Sequence, residues 1–467
     1  MPSKTRQRRA MGAVRNGLLS PEEHYRQGKA LREECPRHSH ALWRASGDRR
    51  DAVELVLAAE RGRLPDLLPL RHGRMVRSPF TFYRGAASTM ASDLATTSVS
   101  GIRVQCCGDA HLCNFGGFAT PERRVIFSIN DLDETLPAPW EWDLKRLATS
   151  VVVACRDNNL GESVAMDATL GCVRSYRESM LEFSQLRTLE LWYQAMKAED
   201  LLAELPVDTR KRVKKRIERE AARSRTDEIF PKLVEDNAGK PLIKDHLPTI
   251  FHHEDAPPGV VRKLHRDAVA AYRSTLHSAH QALFDRYELR DVAIKVVGIG
   301  SVGTRCWVFL LMASQGDSLL LQVKEARASV LEPYAGKSRF LNHGQRVVNG
   351  YRLMQPSSDV FLGWSSSTEH HYFLRQLRDI KISPLVDTFG RVEMDHFASW
   401  CGKALALSHA RSGNSALLAG YMGKSDALDQ AIALFAKAYA DQNEKDHAAF
   451  VRAIRRGKLK AVFEQGQ

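Results

Sequence analysis

Two short motifs bring together the residue types that reactions at a phosphate group require. Asp109 and Asn114 lie in the segment GDAHLCN, and Asp131 and Asp133 lie in the segment NDLDE. Each motif follows a run of β-branched and apolar residues that is typical of a strand, IRVQCC for the first and RVIFSIN for the second. The two motifs are therefore expected at the ends of neighbouring strands.

Phosphoryl transfer asks for little covalent chemistry from a protein. One carboxylate orients and deprotonates the acceptor hydroxyl, and oxygen ligands hold Mg²⁺ against the phosphates. Because Mg²⁺ prefers carboxylate and amide oxygens and keeps several waters, two or three side chains are enough. Asp109, Asn114 and Asp131 supply such a set. Asp133 is either a further metal ligand or a solvated neighbour.

Other interpretations of these motifs stay open at this point. Asp and Asn are also common residues in the capping of turns. His111, together with Asp109 and Asp131, could instead bind a transition metal and support metal-dependent hydrolysis. That alternative would not require a nucleotide.

A third motif, GIGSVGT, offers Gly298, Gly300, Ser301, Gly303 and Thr304. The same spacing of glycines occurs in dinucleotide-binding units, where a helix follows the motif. Here RCWVFLLMA follows and is typical of a strand. A β-hairpin loop lying over phosphates is therefore favoured, because glycines let backbone N–H groups approach an anion closely.

The order of the acidic motifs resembles the catalytic segment of aminoglycoside and choline phosphotransferases, which belong to the kinase-like superfamily. The resemblance rests on GDxHxxN, on the DxD after the next strand, and on WDL at the start of a helix. It implies that Asp109 is the catalytic base, that Asn114 and Asp131 bind Mg²⁺, and that Asp143 braces the catalytic loop. His111 matches a family histidine of unassigned role.

Lys324 in LLLQVKEA corresponds by the same resemblance to the phosphate-binding lysine on the third strand of kinases. Its expected ion-pair partner is a glutamate on the next helix, where this sequence has Gln345; Glu325 and Glu332 are the substitutes. The segment HYFLRQLRD is then the strand that enters the hinge. The backbone near Gln376 and Leu377 is expected to contact adenine.

Arginine and histidine residues elsewhere could complete the site. Arg84 in FTFYRGAA and Arg74 in RHGRM have the planar donor fork that suits phosphate or an acidic substrate. Ion pairing within the protein is the alternative, and it is favoured for Arg74. His409 and Arg411 in HARSG either lie near the catalytic loop or brace the structure.

The catalytic segment precedes the glycine motif in this chain, whereas kinases have the opposite order. A circular permutation accounts for the difference, and the sequence predicts an α+β, two-lobed, protein-kinase-like fold that is circularly permuted, with helical N- and C-terminal extensions. The predicted units are a helical extension (1–95), a mostly helical catalytic segment (96–290), a β-rich nucleotide-binding lobe (291–380) and C-terminal helices (381–467).

Taken whole, the chain resembles the bacterial family catalogued as domain of unknown function 2252, from about residue 20 to the end. The segments that carry the resemblance are RHGRM, SPFTFYRGAA, GDAHLCNFG, NDLDET, WEWDLKRLA, VVGIGSVGTR, KEA, RLMQ, SDVFLGW, RQLRD and HARSG.

Composition restricts the class of protein further. The 467 residues carry a net charge of +13, and much of it lies in the opening MPSKTRQRRAMGAVR and in TRKRVKKRIERE (209–220). A solvated helix face is the favoured interpretation of the second run. No motif for reading nucleic acid accompanies the charge. The eight cysteines form no CxxC pair, and packing is favoured for Cys106, Cys107 and Cys113. With no apolar run long enough for a membrane helix, a cytoplasmic protein is expected.

The sequence therefore predicts an ATP- and Mg²⁺-dependent phosphotransferase whose acceptor is a hydroxyl-bearing small molecule or protein. Catalysis is assigned to Asp109, with His111 and Arg84 beside it. A catalytically inactive nucleotide-binding regulator and a nucleotidyl transferase that uses the same site are the alternatives.

Overall fold

The structure is a computed structural model that describes residues 19–223, 233–237, 240–252, 267–296, 298–314, 317–377 and 380–464. The basic opening segment lies outside the described residues. Helices and antiparallel sheets together form the chain, so the predicted α+β class is confirmed. In the part of the chain that is described, no helix combines the length and the apolar character needed to span a membrane.

Helices precede and follow the sheets in the chain. Those labelled here are α1 (Pro21–Glu34), α2 (Ala52–Glu60), α3 (Leu68–Met75), α4 (Pro79–Gly85), α5 (Ala87–Leu94), α6 (Trp140–Asp157), α7 (Glu162–Phe183), α8 (Thr188–Trp192), α9 (Ala198–Glu204), α10 (Val207–Arg223), α11 (Ser278–Phe284), α12 (Glu332–Ala335), α13 (His343–Met354), α14 (Arg391–Ser412), α15 (Ser415–Met422) and α16 (Ala427–Arg455).

The strands form antiparallel sheets throughout the described residues. They are β1 (Arg103–Cys106), β2 (Phe115–Ala119), β3 (Val125–Ile129), β4 (Leu136–Pro139), β5 (Met196–Lys197), β6 (Val234–Asn237), β7 (Lys240–Ile243), β8 (Ile250–Phe251), β9 (Glu288–Lys295), β10 (Cys306–Met312), β11 (Ser318–Ala326), β12 (Gly363–Ser366), β13 (His371–Gln376) and β14 (Lys381–Ile382).

The largest sheet has six strands in the order β12-β13-β11-β10-β9-β8. The glycine motif lies between β9 and β10, and Lys324 lies on β11 opposite Cys306 of β10. Helix α13 joins β11 to β12 in the chain. The strands predicted from DVAIKVVG, TRCWVFLLMA, SLLLQVKEA and HYFLRQL are therefore confirmed as β9, β10, β11 and β13.

The main hydrophobic core surrounds α6, which is buried along nearly its whole length. Trp140 at its start stacks on Tyr176 of α7, with ring centroids 5.7 Å apart and planes inclined by 7°. Helices α7, α14 and α16 contribute to the same core. A helix that is buried on all sides offers rigid support for the polar side chains that it directs at a loop.

The first helix docks on α15 with unusually close backbones. A Cβ atom added at Gly28 would lie 2.0 Å from the carbonyl oxygen of Leu417, and one added at Gly420 would lie 2.0 Å from that of Tyr25. Only glycine fits at these two positions, because the partner atoms belong to the backbone and cannot move aside. The N-terminal and C-terminal helices therefore form one packed unit.

Three details of the strands differ from the sequence interpretation. Strand β1 pairs with β4 and not with β3, and β2 lies inside the segment that was expected to be a loop. The hairpin β6–β7 lies within a region predicted to be mostly helical. Its sequence, VEDNAGKPLI, has an Asn and a Gly between short apolar runs, which is a hairpin signal.

Candidate functional site

One cleft of about 500 Å³ collects residues from both acidic motifs and from the six-stranded sheet. Nearly all of the predicted site residues line it, whereas Gly303 and Thr304 do not. The predicted residues in its lining are Arg84, Asp109, His111, Asn114, Asp131, Asp133, Gly298, Gly300, Ser301, Lys324, Gln376 and Leu377.

The loop that carries the first motif is held by one face of α6. The Asp143 carboxylate accepts hydrogen bonds from the backbone N–H groups of Cys107 and Gly108, at 2.5 and 2.9 Å. Two turns further along, the Ser150 hydroxyl accepts a hydrogen bond from the backbone N–H of Leu112 at 3.2 Å. Residues three and four positions apart share a helix face, so this spacing holds the loop at successive points.

Asp109 is fixed by a buried arginine from the same helix face. Nε of Arg146 donates to Oδ1 of Asp109 at 2.7 Å, and the guanidinium carbon lies 4.4 Å from the centre of the Tyr83 ring. His111 lies beside the pair, with Nε2 3.8 Å from Oδ2 of Asp109. Burial, with a contribution from the positive charge of Arg84, lowers the pKa of His111 to about 4. The histidine is therefore neutral near pH 7.

His409 braces the same loop through Asp143. Its Nε2 lies 3.2 Å from Oδ2 of Asp143, and its Nδ1 lies 2.8 Å from the Tyr176 hydroxyl. Cys106, Asp143 and His409 are the one group of metal-ligand types that the described residues bring within ligand distance. Their polar atoms already have partners, since the Cys106 thiol faces backbone carbonyls. We therefore interpret this group as structural.

The second motif meets Lys324 across the cleft. Nζ of Lys324 lies 2.6 Å from Oδ2 of Asp133 and 3.7 Å from Oδ2 of Asp131. The lysine side chain is 3% exposed, so its charge is balanced almost entirely by these two carboxylates. Lys324 and the two carboxylates therefore form one charged cluster.

The expected partners of Lys324 were wrong. Glu325 accepts a hydrogen bond from the backbone N–H of Arg305 at 3.0 Å, and Glu332 faces His343 at 4.0 Å. The backbone N–H of Gln345 donates to the Asn342 side chain that caps α13. The lysine instead pairs with the NDLDE motif, because that segment lies directly opposite β11 across the cleft.

Two carboxyl groups beside one ammonium group titrate differently. Burial opposes ionisation of Asp131, but the positive charges of Lys324, Arg375 and Lys381, together with a hydrogen bond from Asp133, outweigh burial and hold the pKa of Asp131 below its usual range. Burial and the charge of Asp131 raise the pKa of Asp133 to about 7, although Lys324 opposes the rise. A further positive charge beside Asp133 would therefore lower its pKa and favour its ionised form.

The residues fit a hard divalent cation. Oδ1 of Asp133 is buried without a hydrogen-bond partner. The Asn114 amide nitrogen donates to the backbone carbonyl of Asp109 at 2.8 Å, so its oxygen is the atom that it can offer to a metal. Together with Asp131, these groups form an all-oxygen set of the kind that Mg²⁺ prefers.

Sequence reasoning missed Arg346, which is buried on α13 with 2% of its surface exposed. It donates to the backbone carbonyls of Thr135 at 2.6 Å, of Asp133 at 2.8 Å and of Arg327 at 2.7 Å. The arginine thus joins the helix, the end of β11 and the NDLDE segment. Its only signal in the sequence is a charge between apolar helix positions, in QRVVNGYRLM.

The glycine motif forms a short turn that two arginines of the cleft lining, Arg63 and Arg71, hold through its carbonyls. Arg71 donates to the carbonyls of Ile299 and Gly300, and Arg63 donates to that of Val302 at 2.6 Å. A Cβ added at Gly298 would have nothing within 4 Å. The protein itself therefore does not require glycine at 298, and the open space suits the close approach of a ligand.

Gly303 and Thr304 shape the turn. Gly303 has a φ of +85°, which glycine adopts without strain, and its carbonyl accepts a hydrogen bond from the backbone N–H of Leu64 at 2.7 Å. The Thr304 hydroxyl donates to the carbonyl of Ser301 at 2.7 Å. These contacts bend the chain and direct Gly298–Ser301 into the cleft.

Gln376 and Leu377 line the opposite part of the cleft, where β13 ends. The N–H of Gln376 donates to Asp359 at 2.5 Å, and the N–H of Leu377 donates to the carbonyl of Leu320 at 2.8 Å. A nucleobase here would therefore meet backbone carbonyls. The adenine contact stays a prediction.

The remaining arginines divide as the sequence suggested. Arg74 forms an ion pair with Glu464 at 2.6 Å, so the favoured interpretation of this residue is confirmed. Arg84 lies in the cleft lining. Arg411 donates to the carbonyl of Leu353 at 3.1 Å and lies over the Trp192 ring, so it braces helices.

The structure is that of a mixed α+β protein in which a charged cleft is lined by residues of the six-stranded sheet and of the helical segments. A family model described as an uncharacterised protein conserved in bacteria, DUF2252, matches residues 63–453. The chain belongs to this family, as its sequence segments predicted. Neither the curated proteins nor the solved structures contain a match.

Proposed function

We propose that this protein is an ATP- and Mg²⁺-dependent phosphotransferase that acts on a hydroxyl group. The observation that carries the proposal is the meeting of Lys324 with Asp131 and Asp133 at one end of a cleft that also holds the glycine turn. Positioning and electrostatic stabilisation account for most of the catalysis of phosphoryl transfer. The cluster supplies both.

The nucleotide fits the part of the cleft that the sheet contributes. The backbone of Gly298–Ser301 would lie over the phosphates, and Lys324 would contact them from β11. The end of β13 would border the base. This order of parts, with a glycine turn after the first strand and a lysine on the third, is the order that kinases use.

The metal fits at Asn114, Asp131 and Asp133. Bound there, Mg²⁺ would supply positive charge that offsets the negative charge of the nucleotide phosphates. Asp109 lies on the acceptor side of the same cleft and would accept a hydrogen bond from the acceptor hydroxyl. Arg146 and α6 hold that carboxylate in place before any substrate binds.

A circularly permuted kinase-like fold is part of the proposal. The strand order β12-β13-β11-β10-β9, with α13 inserted between β11 and β12, supports a kinase-type nucleotide lobe. The catalytic loop precedes that lobe in the chain but faces it across the cleft, as a permutation requires. The division into four units at residues 95, 290 and 380 belongs to the same proposal.

One observation favours the alternatives. The ion pair between Asp109 and Arg146 occupies the carboxylate that would otherwise accept a proton. An inactive nucleotide-binding regulator, or a nucleotidyl transferase that binds the nucleotide in another orientation, would have less need of that carboxylate. Gln345, by contrast, no longer argues for a regulator, because Lys324 has partners elsewhere.

The proposal is tested by titrating the protein with ATP in the presence and absence of Mg²⁺, with ATP consumption followed in the same samples. We expect Mg²⁺-dependent binding in the wild type and its loss in Lys324→Ala and Asp131→Ala. The nucleotide site would be refuted if the wild type did not bind ATP. It would also be refuted if either variant consumed ATP and bound it as tightly as the wild type. Binding without consumption would favour the regulator.

A further inference from the structure

The carboxylates that line the cleft already have partners in the described residues. Asp109 pairs with Arg146, while Asp131 and Asp133 pair with Lys324. The remaining two are held by backbone N–H groups: Glu134 by that of Val330, and Asp359 by those of Phe361 and Gln376. A cationic substrate would therefore have to compete with these partners for each carboxylate.

Two cations in the same lining differ from these carboxylates. Among the described residues, Arg84 and Lys381 form no hydrogen bond through their side chains and no ion pair, and Nε of Arg84 is buried. Arg84 is thus a cation of the cleft lining that no carboxylate of the described residues pairs with.

A buried imidazole lies next to Arg84. His111 is 4% exposed, and its Nδ1 has no hydrogen-bond partner. An arginine fork, joined by the imidazole when its proton is on Nδ1, forms the kind of donor set that binds the oxygens of a carboxylate or phosphate. Both residues lie on the side of the cleft that holds Asp109.

We propose that the acceptor carries an anionic oxyacid group, a carboxylate or a phosphate, which Arg84 binds while Asp109 contacts its hydroxyl. This inference rests on the proposed phosphotransferase function. In the transfer, the acceptor oxygen forms a bond to the γ-phosphorus, and the bond from that phosphorus to the bridging oxygen breaks. ADP leaves with the electron pair, and the hydroxyl proton passes to Asp109.

The inference separates this protein from the phosphotransferases whose motifs it resembles. Choline is a quaternary ammonium ion and aminoglycosides are polycations, and both need carboxylates or open aromatic faces for binding. Here the carboxylates are paired, and Arg84 would repel such an acceptor. An anionic acceptor instead neutralises the unpaired charge.

The test uses protein saturated with Mg²⁺ and the non-hydrolysable nucleotide AMP-PNP, titrated calorimetrically with inorganic phosphate. We expect phosphate to bind the loaded wild type, Arg84→Gln to weaken it about tenfold or more, and Arg84→Lys to restore part of the affinity. The affinity for AMP-PNP should change less than about twofold. Parallel titrations with glycerate, which has a carboxylate, and with glycerol 3-phosphate, which has a phosphate and no carboxylate, distinguish the two groups.

Arg44→Gln, a change at an exposed arginine outside the cleft lining, is the matched control and should behave as the wild type. The inference is overturned if phosphate does not bind the loaded wild type, if Arg84→Gln leaves its affinity unchanged, or if choline binds more tightly at equal ionic strength. Equal loss of AMP-PNP and phosphate affinity would also overturn it, because Arg84 would then serve the nucleotide. Absence of AMP-PNP binding in the wild type would count against the proposed function itself.

Discussion

Nζ of Lys324 lies 2.6 Å from Oδ2 of Asp133, so a lysine of the sheet is neutralised by the segment that follows β3. This pairing differs from the lysine–glutamate pair of kinases, in which the partner lies on the helix after the third strand. The pair links the two sides of the cleft directly.

Removing the lysine should destabilise the protein through the charges it leaves behind. We expect Lys324→Met to lower the free energy of unfolding by about 1–3 kcal/mol, because Asp131 and Asp133 lose the positive charge with which they form ion pairs. Asp133→Asn in the same chain should recover part of that loss. Urea denaturation measures both changes, and Lys29→Met at an exposed position is the control. Additive effects of the two substitutions would contradict a direct interaction.

Asp109 should be needed for turnover and not for nucleotide binding. Asp109→Asn keeps the shape of the side chain, so we expect turnover to fall by about 10²- to 10⁴-fold while ATP affinity stays within about twofold. Single-turnover measurement of ADP release gives the rate, and calorimetry gives the affinity. Asp48→Asn, at an exposed position, should leave both unchanged. Unaltered turnover in Asp109→Asn would remove Asp109 from the chemistry.

Arg346 should position the metal-binding segment. In Arg346→Gln, the buried carbonyls of Asp133 and Thr135 lose a charged donor, and we expect the free energy of unfolding to fall by about 2–4 kcal/mol. The Mg²⁺ concentration needed for half-maximal ATP binding should rise in Arg346→Gln. In Arg346→Lys this concentration should be closer to that of the wild type. A purely structural role would leave the Mg²⁺ dependence of the folded variant unchanged.

His40 should make the protein sensitive to acid. Burial is the main cause that lowers its pKa to about 3, from an ordinary value of about 6.5, and Nε2 lies 2.6 Å from the Tyr421 hydroxyl. The unfolded chain therefore binds a proton that the folded chain does not, so stability present above pH 6.5 is lost as the pH falls. The contribution reaches about 1.4 kcal/mol per pH unit between those pKa values.

Equilibrium unfolding at several pH values checks this prediction. His40→Gln should reduce the slope of stability against pH by about one proton below pH 6, whereas the exposed His38→Gln should not. An unchanged slope in His40→Gln would show that His40 is protonated in the folded protein.

The close contact between α1 and α15 gives a prediction for the fold alone. Gly28→Ala places a methyl group against the Leu417 carbonyl, so we expect a loss of about 1–3 kcal/mol in the free energy of unfolding. Gly47→Ala is the matched control, since a Cβ there meets nothing within 4 Å. Equal melting temperatures for the two variants would contradict the packing.

Local patterns in the sequence were enough to predict four strands of the large sheet and to single out the residues of the two acidic motifs. Alternating and β-branched runs identified β9, β10, β11 and β13, because each strand is long enough to show its period. Short strands such as β2 were not predicted, because FGGFA has few residues and two of them are glycines.

Contacts between distant segments could not be predicted from a single sequence. The pairing of Lys324 with Asp133 and the reach of Arg346 to three carbonyls depend on how the sheet meets the loops, and no local spacing records that arrangement. The role of Asp143 was accessible only because its motif resembles a known one, and its two hydrogen bonds to the loop agree with that expectation.

The hold of Arg71 on the glycine turn has a consequence for how substrates come and go. The carbonyls of Ile299 and Gly300 are tied to Arg71 of α3, so a movement of the glycine turn would carry α3 with it. Deleting the segment that carries Arg63 and Arg71 would remove the anchor of the turn and, under the proposed function, should weaken phosphate binding.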